Sequence, residues 1–328
     1  MTVRISWYGW VFWLTASSAT VLAQQSMADG TQWLLRVQQA AQKLNYSGTF
    51  VYMQYGGQPQ TSRITHVSDG ANERERLEIL DGSPIVVVRT NDRLTSYAPD
   101  TKTILIEKRS TKAGFPALLT DQVAGIAEQY DTRKADIQRV AGMECQILTL
   151  NAKDNLRFSH KLWAEVNSGL LLKAQTINEK GEVVEQIAFT QVDIGGPAEK
   201  YHSRLSKRDG GRDWRTATPV VTQARFADAG WKIDIPVPGF RKVLELRRGF
   251  GDVGVGQVVF SDGLASVSVF IEPLRQGAKA HEGLTSQGSV NVFRRRIADH
   301  LVTVLGEAPP ACVTRLAQAV EYRPTARQ

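Results

Sequence analysis

Apolar positions along this chain change their period several times. After Asp29, the residues Trp33, Val37, Ala40, Ala41 and Leu44 recur at helical spacing. One stripe of a helix is therefore apolar, with Asp29 placed to cap it and Asn45 to end it. From residue 48 the pattern becomes a series of short strand-like runs, at 48–53, 62–67, 74–80, 85–89, 94–97 and 103–107. Turn residues separate them: Gly56-Gly57, Asp69-Gly70, Asp81-Gly82-Ser83-Pro84, Asn91-Asp92 and Pro99-Asp100. A spacing of about 10 residues predicts consecutive antiparallel strands, a meander. Residues 115–130 read as one or two short helices, and strands resume at 144–150, 160–166, 170–177 and 183–192. So many strands must curl or split, and a curled sheet offers a concave binding face.

Residues 199–218 break the pattern. Lys207-Arg208-Asp209-Gly210-Gly211-Arg212 carries charge and glycine with almost no apolar period, which predicts a linker or a long surface loop. A second domain, 219–328, follows, with strands expected at 231–235, 242–247, 255–260, 265–271, 288–294 and 301–305. Ala265, Val267, Val269 and Ile271 share one face of a run whose other face holds Ser266, Ser268 and Phe270, the signature of a half-buried antiparallel strand. Pro309-Pro310 opens a last helix with Val313, Leu316, Ala317 and Val320 on one stripe.

The start of the chain bears on compartment. Arg4 precedes the apolar run 7–14, small residues follow, and Val21-Leu22-Ala23 is a small-x-small pattern before Gln24. This reads as a cleaved signal peptide, 1–23, and so as export to the periplasm. The other reading, an uncleaved anchor, needs a longer apolar run than this one. The first domain is then 24–198.

Composition adds little except through its unevenness. The 328 residues are 42% hydrophobic and 22% charged, ordinary for a globular protein of two domains. Of the net +7, residues 24–198 contribute 19 basic and 20 acidic groups (−1), 199–218 contribute 6 and 3 (+3), and 219–328 contribute 14 and 10 (+4). With Arg4 these sum to the whole. A positive second half speeds encounter with acidic segments or anionic surfaces.

Catalytic patterns are nearly absent. Gly249-Phe250-Gly251-Asp252-Val253-Gly254 matches G-x-G-x-x-G, but a strand-like run follows where a dinucleotide site needs a helix, so a hairpin turn is expected. His66, His160, His202, His281 and His300 are scattered, and none has metal-ligand spacing to another His or Cys. Glu73 and Glu75 alternate with Arg74 and Arg76, which predicts a solvated, cross-paired strand face rather than acid–base chemistry. No cofactor or metal is called for. Cys145 and Cys312 fall in different domains. They are read either as an inter-domain disulfide, in an oxidising compartment, or as two buried thiols.

Several blocks are familiar in type. Asn45-Tyr46-Ser47-Gly48-Thr49-Phe50-Val51-Tyr52, Glu75-Arg76-Leu77 with Leu80-Asp81-Gly82-Ser83-Pro84, and Tyr97-Ala98-Pro99-Asp100 resemble the MucB/RseB family of periplasmic sigma-E regulators. So do the run from Phe260 to Phe270 and the run from Val302 to Pro310, in the same order. The resemblance implies an α+β protein. Its N-terminal domain would be a curled, unclosed antiparallel sheet, a lipoprotein-carrier-like half-barrel with helices on its concave face. A smaller antiparallel-sheet-and-helix domain would follow. It also implies a non-enzymatic regulator that binds the periplasmic part of a membrane-spanning anti-sigma factor and shields it from proteolysis. Release on contact with lipopolysaccharide or another lipid is part of that expectation. The rival readings are a periplasmic lipid or lipoprotein carrier and an enzyme on polysaccharide or peptidoglycan. A homo-oligomer stays open, and no nucleic-acid partner is expected. For partner contact, Arg294, Arg295 and Arg296 are the candidates from the residues alone, against the reading of a solvated face. Three adjacent guanidiniums on a strand end must be solvated or paired.

Overall fold

The computed structural model describes residues 17–108, 114–119, 123–206, 209–211, 213–250, 253–274 and 281–323. Helix α1 (Ser17–Lys43) starts before Asp29, so Asp29 lies inside it and caps nothing. Its stripe of Leu34, Val37, Ala40 and Ala41 is buried, while Trp33 and Leu44 are half-buried at the rim. The Val21–Ala23 pattern lies within this helix, and the apolar run at 7–14 lies outside the described residues.

The strand series then follows in chain order: β1 (Tyr46–Gln54), β2 (Gln60–Ser68), β3 (Glu73–Ile79), β4 (Val86–Thr90), β5 (Arg93–Ala98) and β6 (Thr103–Lys108). After α2 (Val123–Gln129) come β7 (Tyr130–Val140), β8 (Met143–Ala152), β9 (Ser159–Glu165), β10 (Leu171–Ile177) and β11 (Val183–Ile194). Helix α3 (Glu199–Leu205) and β12 (Arg215–Ala217) close the first unit. These strands form one 12-stranded sheet in the order β12-β6-β5-β4-β3-β2-β1-β11-β10-β9-β8-β7. Two meanders, β1 to β6 and β7 to β11, are joined by antiparallel pairing of β1 with β11. The sheet is curled and unclosed, with β12 and β7 as its edges. Of the one or two short helices expected within 115–130, the described residues hold α2.

The sheet's two faces are distinct. Pairing puts Gly48, Ile64, Leu77, Val87, Ser96 and Leu105 in one cross-strand row on the face that carries α1 and α2. A core of Phe50, Phe115, Phe189, Leu148, Leu150 and Ile126 fills the space between those helices and that inner face. Phe50, Phe115 and Phe189 meet edge-on or tilted, with centroids 4.9–5.9 Å apart, a favourable aromatic geometry.

The outer face holds the segment expected to be a linker. It is a strap instead. Helix α3 lies on β2 and β3, and its Tyr201 and Leu205 are buried with Val67. Arg204 Nη1 donates to Ser47 Oγ at 2.6 Å. Arg76 donates both terminal nitrogens to the Asp209 carboxylate, one of them at 2.5 Å. Strand β12 then extends the sheet in parallel with β6. The expectation that Arg74 and Arg76 lie on a solvated face fails for Arg76, which is only 2% exposed. Its partner lies 133 residues away, out of reach of any local pattern.

The second unit contains β13 (Val220–Gln223), β14 (Trp231–Ile233), β15 (Arg241–Phe250), β16 (Val253–Ser261) and β17 (Ser266–Pro273). Strands β18 (Gly283–Gln287), β19 (Val290–Ile297) and β20 (His300–Gly306), helix α4 (Pro310–Ala319) and β21 (Val320–Tyr322) follow. Seven strands form a sheet in the order β13-β15-β16-β17-β20-β19-β18, and β14 pairs with β21. Val267, Val269 and Ile271 are buried against Cys312, Val313, Leu316 and Ala317 of α4, whereas Ser266, Ser268 and Phe270 are half-buried on the other face. The alternation in the sequence specified this strand because its period matches the pleat. Gly249 pairs with Gly254 and Phe250 with Val253, so the glycine motif closes the β15–β16 hairpin, although Gly251 and Asp252 lie outside the described residues.

Cys145 belongs to the first core and Cys312 to the second, and both are free. Of the two readings, the pair of buried thiols holds. Burial pushes their pKa values up to about 11 and about 12, which keeps them protonated and unreactive.

Candidate binding surface

The inner face is filled in one half only. On β7 to β11, β1 and β2, the core residues pack under α1 and α2. On β3 to β6, Val87, Leu94, Leu105 and Ile79 are half-buried, and among the described residues only Leu77 of these four strands packs against that core. This leaves an apolar strip on the inner side of the sheet. Charged residues line it: Glu75, Arg89 and Glu107 fall in one cross-strand row with Leu94, and Arg89 Nη2 lies 3.8 Å from Glu75 Oε1. The row begins at His66, which is buried, stacks on Tyr46 with centroids 4.9 Å apart, and hydrogen-bonds Leu44 O through Nδ1 at 2.8 Å. An apolar strip with a few aligned charges suits a ligand that is part hydrocarbon and part ionic.

The second unit is joined to both halves of the sheet. At the filled half, Arg157 Nη1 donates to Asp262 Oδ2 at 2.6 Å, and both side chains are fully buried. The guanidinium also donates to Pro238 O at 2.7 Å and to both oxygens of Asp154 at 3.0 Å. Asp262 Oδ1 accepts the backbone N–H groups of Leu264 and Ala265, and Tyr130 Oη reaches Oδ2 at 3.4 Å. Burial, reinforced by the Asp262 charge, holds the Tyr130 phenol well above its usual pKa. The cores interlock there: Leu156 belongs to the second core, and Leu264 packs on the first. At the open half, Arg248 Nη1 donates to Glu107 Oε1 at 3.1 Å, with the arginine side chain 30% exposed. A third contact is the hydrogen bond from Ser289 Oγ to Glu185 Oε2.

Two regulatory-family models match these two units. The MucB/RseB N-terminal domain matches residues 29–207, and the MucB/RseB C-terminal domain matches residues 225–321. The chain belongs to the MucB/RseB family. Among curated relatives, the sigma factor AlgU regulatory protein MucB of Pseudomonas aeruginosa is 32% identical over 324 residues, covering 96% of this chain and 98% of that protein. The sigma-E factor regulatory protein RseB of Escherichia coli K12 is 22% identical over 286 residues, covering 86% and 87%. A solved MucA/MucB complex from Pseudomonas aeruginosa has a TM-score of 0.69 at 29% identity, covering 91% of this chain and 100% of that one. A structure of MucB with the periplasmic part of MucA gives 0.67 at 30%. The MucB/RseB proteins are regulators of sigma factors and not a family of enzymes.

The arginine triplet of this family member is less uniform than its sequence. Arg294 and Arg296 are exposed on β19, while Arg295 is half-buried and donates from Nη1 to Ala317 O at 3.2 Å, at the last turn of α4. Arg296 donates its backbone N–H to Glu282 Oε2 and its Nε to Ala298 O. The pleat therefore sends Arg295 toward the core side and the other two away from it. Residues that sequence reasoning missed are Arg157, Asp262, Arg248 and Glu107. Their only local signal is a carboxylate or guanidinium in an otherwise apolar surrounding, and nothing in the sequence pairs them.

Proposed function

We propose that this protein binds the periplasmic segment of a membrane-spanning anti-sigma factor and covers it against proteolysis, and that lipid or lipopolysaccharide releases it. The chief support is the pair of MucA/MucB structures, which match along nine-tenths of this chain. The half-open inner face supports the lipid part, because Val87, Leu94 and Leu105 offer hydrocarbon contact beside the Glu75–Arg89 row. The working compartment is the periplasm, reached through the N-terminal signal. Residues 24–198, 199–218 and 219–328 are the working units, with the strap bound to the first. Arg294 and Arg296 are the exposed cations of the triplet and dock acidic groups of the partner, whereas Arg295 serves α4.

Protease protection tests the reading directly. The anti-sigma segment, incubated with its site protease, should persist when this protein is present and be cut once lipopolysaccharide is added. Equal cleavage with and without the protein rejects the shielding role. Retention of the segment by the R294Q/R296Q variant should fall in low salt and converge with wild type in high salt. A lipid carrier is the second reading, favoured by the same apolar strip. Native mass spectrometry of the purified protein distinguishes it, since a carrier leaves the cell with acyl-chain cargo.

A further inference from the structure

The outer face of the sheet, opposite the strip just described, carries two lysines over one tryptophan. Trp163 on β9 is 3% exposed and donates Nε1 to Gln138 Oε1 at 3.0 Å. Lys173 Nζ lies 4.6 Å from its ring centroid and Lys161 Nζ 5.1 Å from it. Lys161 is two residues from Trp163 on the same strand face, and Lys173 is its cross-strand partner on β10. Both lysines are half-buried, and among the described residues neither has a carboxylate partner or a hydrogen bond. The cross-strand neighbours are neutral: Ile147, Thr149, Gln175 and Ala188. The carboxylate of Glu165, next on that face, is engaged by the turn, where it accepts from Asn167 and Ser168. Burial, and after it the charge of Lys161, lowers the pKa of Lys173.

Two ammonium groups held near one another without an anion repel, and the ring face offsets only part of that cost. Most lysine charges escape such crowding by swinging into water. Each of these two instead stays within 5.1 Å of the ring centroid of a tryptophan that is itself fixed by Gln138. A doubly charged acceptor between them relieves the repulsion and gains two charge-assisted hydrogen bonds. A phosphoryl group supplies such a charge, about −1.5 to −2 at neutral pH for a monoester. From this geometry we infer that Lys161, Lys173 and Trp163 form a phosphoryl-binding site on the outer face. It is separate from the inner face and does not depend on how the anti-sigma segment binds. The bound group comes from a lipid headgroup or from free phosphate.

Sedimentation with vesicles tests this on the full chain. Phosphatidylcholine vesicles containing phosphatidic acid should carry down the protein, and pure phosphatidylcholine should not. K161Q/K173Q should lose about 10-fold in vesicle affinity, while K161R/K173R, which keeps both charges, should retain it. Thermal melts of both variants check that they fold. In a parallel arm, inorganic phosphate is titrated while the lysine side-chain NMR signals are followed. Shifts of the Lys161 and Lys173 signals with free phosphate alone assign the site to phosphate. Vesicle binding without such shifts assigns it to the lipid headgroup. The inference is overturned if K161Q/K173Q matches wild type in both arms, or if neither phosphate source engages the two lysines. It is equally overturned if an oligoglutamate peptide takes them and phosphate does not.

Discussion

The large sheet has two halves that share one fold and differ in what covers them. In the half made of β7 to β11 with β1 and β2, the protein fills its own inner face with α1, α2 and the Phe50–Phe115–Phe189 cluster. In the half made of β3 to β6, apolar residues of the same face remain half-buried. The second unit repeats the contrast. It meets the filled half through a fully buried Arg157–Asp262 pair and the open half through the partly exposed Arg248–Glu107 pair. Buried, close-packed contacts are thus concentrated on one side and half-buried apolar surface on the other, the division on which the proposed function rests. The strap of α3 and β12 stiffens the open half from outside without occupying its inner face.

Removing one member of the buried pair is the strongest way to break this contrast. Arg157→Ala leaves Asp262 without its counter-ion and should cost about 3–5 kcal/mol in a denaturant melt, with the two units losing cooperativity. Leu148→Ala, in the filled half, should cost about 2–5 kcal/mol by opening a cavity in close-packed surroundings. Acid should act on the same half. Burial lowers His160 to about 4, and its Nε2 is buried without a hydrogen bond. The folded state therefore favours the neutral ring. The stability this provides is complete above pH about 6.5 and is lost as pH falls from there toward 4, up to about 3 kcal/mol. A pH series of melts on His160→Gln should be flatter across that window than wild type.

The open half should respond differently. Val87→Ala should cost about 1 kcal/mol or less, because the side chain is only half-buried, yet under the proposed function it should weaken lipid-triggered release of the anti-sigma segment. Equal loss of stability at Val87 and Leu148 would falsify the division into halves. Arg248→Ala should be the mildest, about 0–1 kcal/mol, and its effect should shrink in salt. A larger effect there would mean that both seams carry the domain arrangement.

Much of this architecture is legible in local patterns. The turn residues at Asp69-Gly70 and Asp81-Gly82 mark the first meander, and the period-2 run from Ala265 to Ile271 marks the central strand of the second sheet. These are short-range signals, and strand pleat and turn geometry act over just a few residues. The candidate surface was less legible. The strip on Val87, Leu94 and Leu105 was foreseen only as a concave face, because which half of the sheet the helices cover depends on contacts between distant segments. The strap is not legible in the sequence because its few apolar anchors, Tyr201 and Leu205, sit among charges that read as linker.

On its own, the order of residues determined the strand succession, the position of α4, the uneven charge and the membership of the chain in its family. Each follows from patterns a few residues long or from blocks that stand in a constant order. The tertiary structure alone decided that Arg76 is buried by Asp209, that Arg157 and Asp262 lock the two units, and that Lys161 and Lys173 share one ring. Charges choose partners by distance in space, and burial sets the strength of each choice; neither quantity exists until the chain has folded.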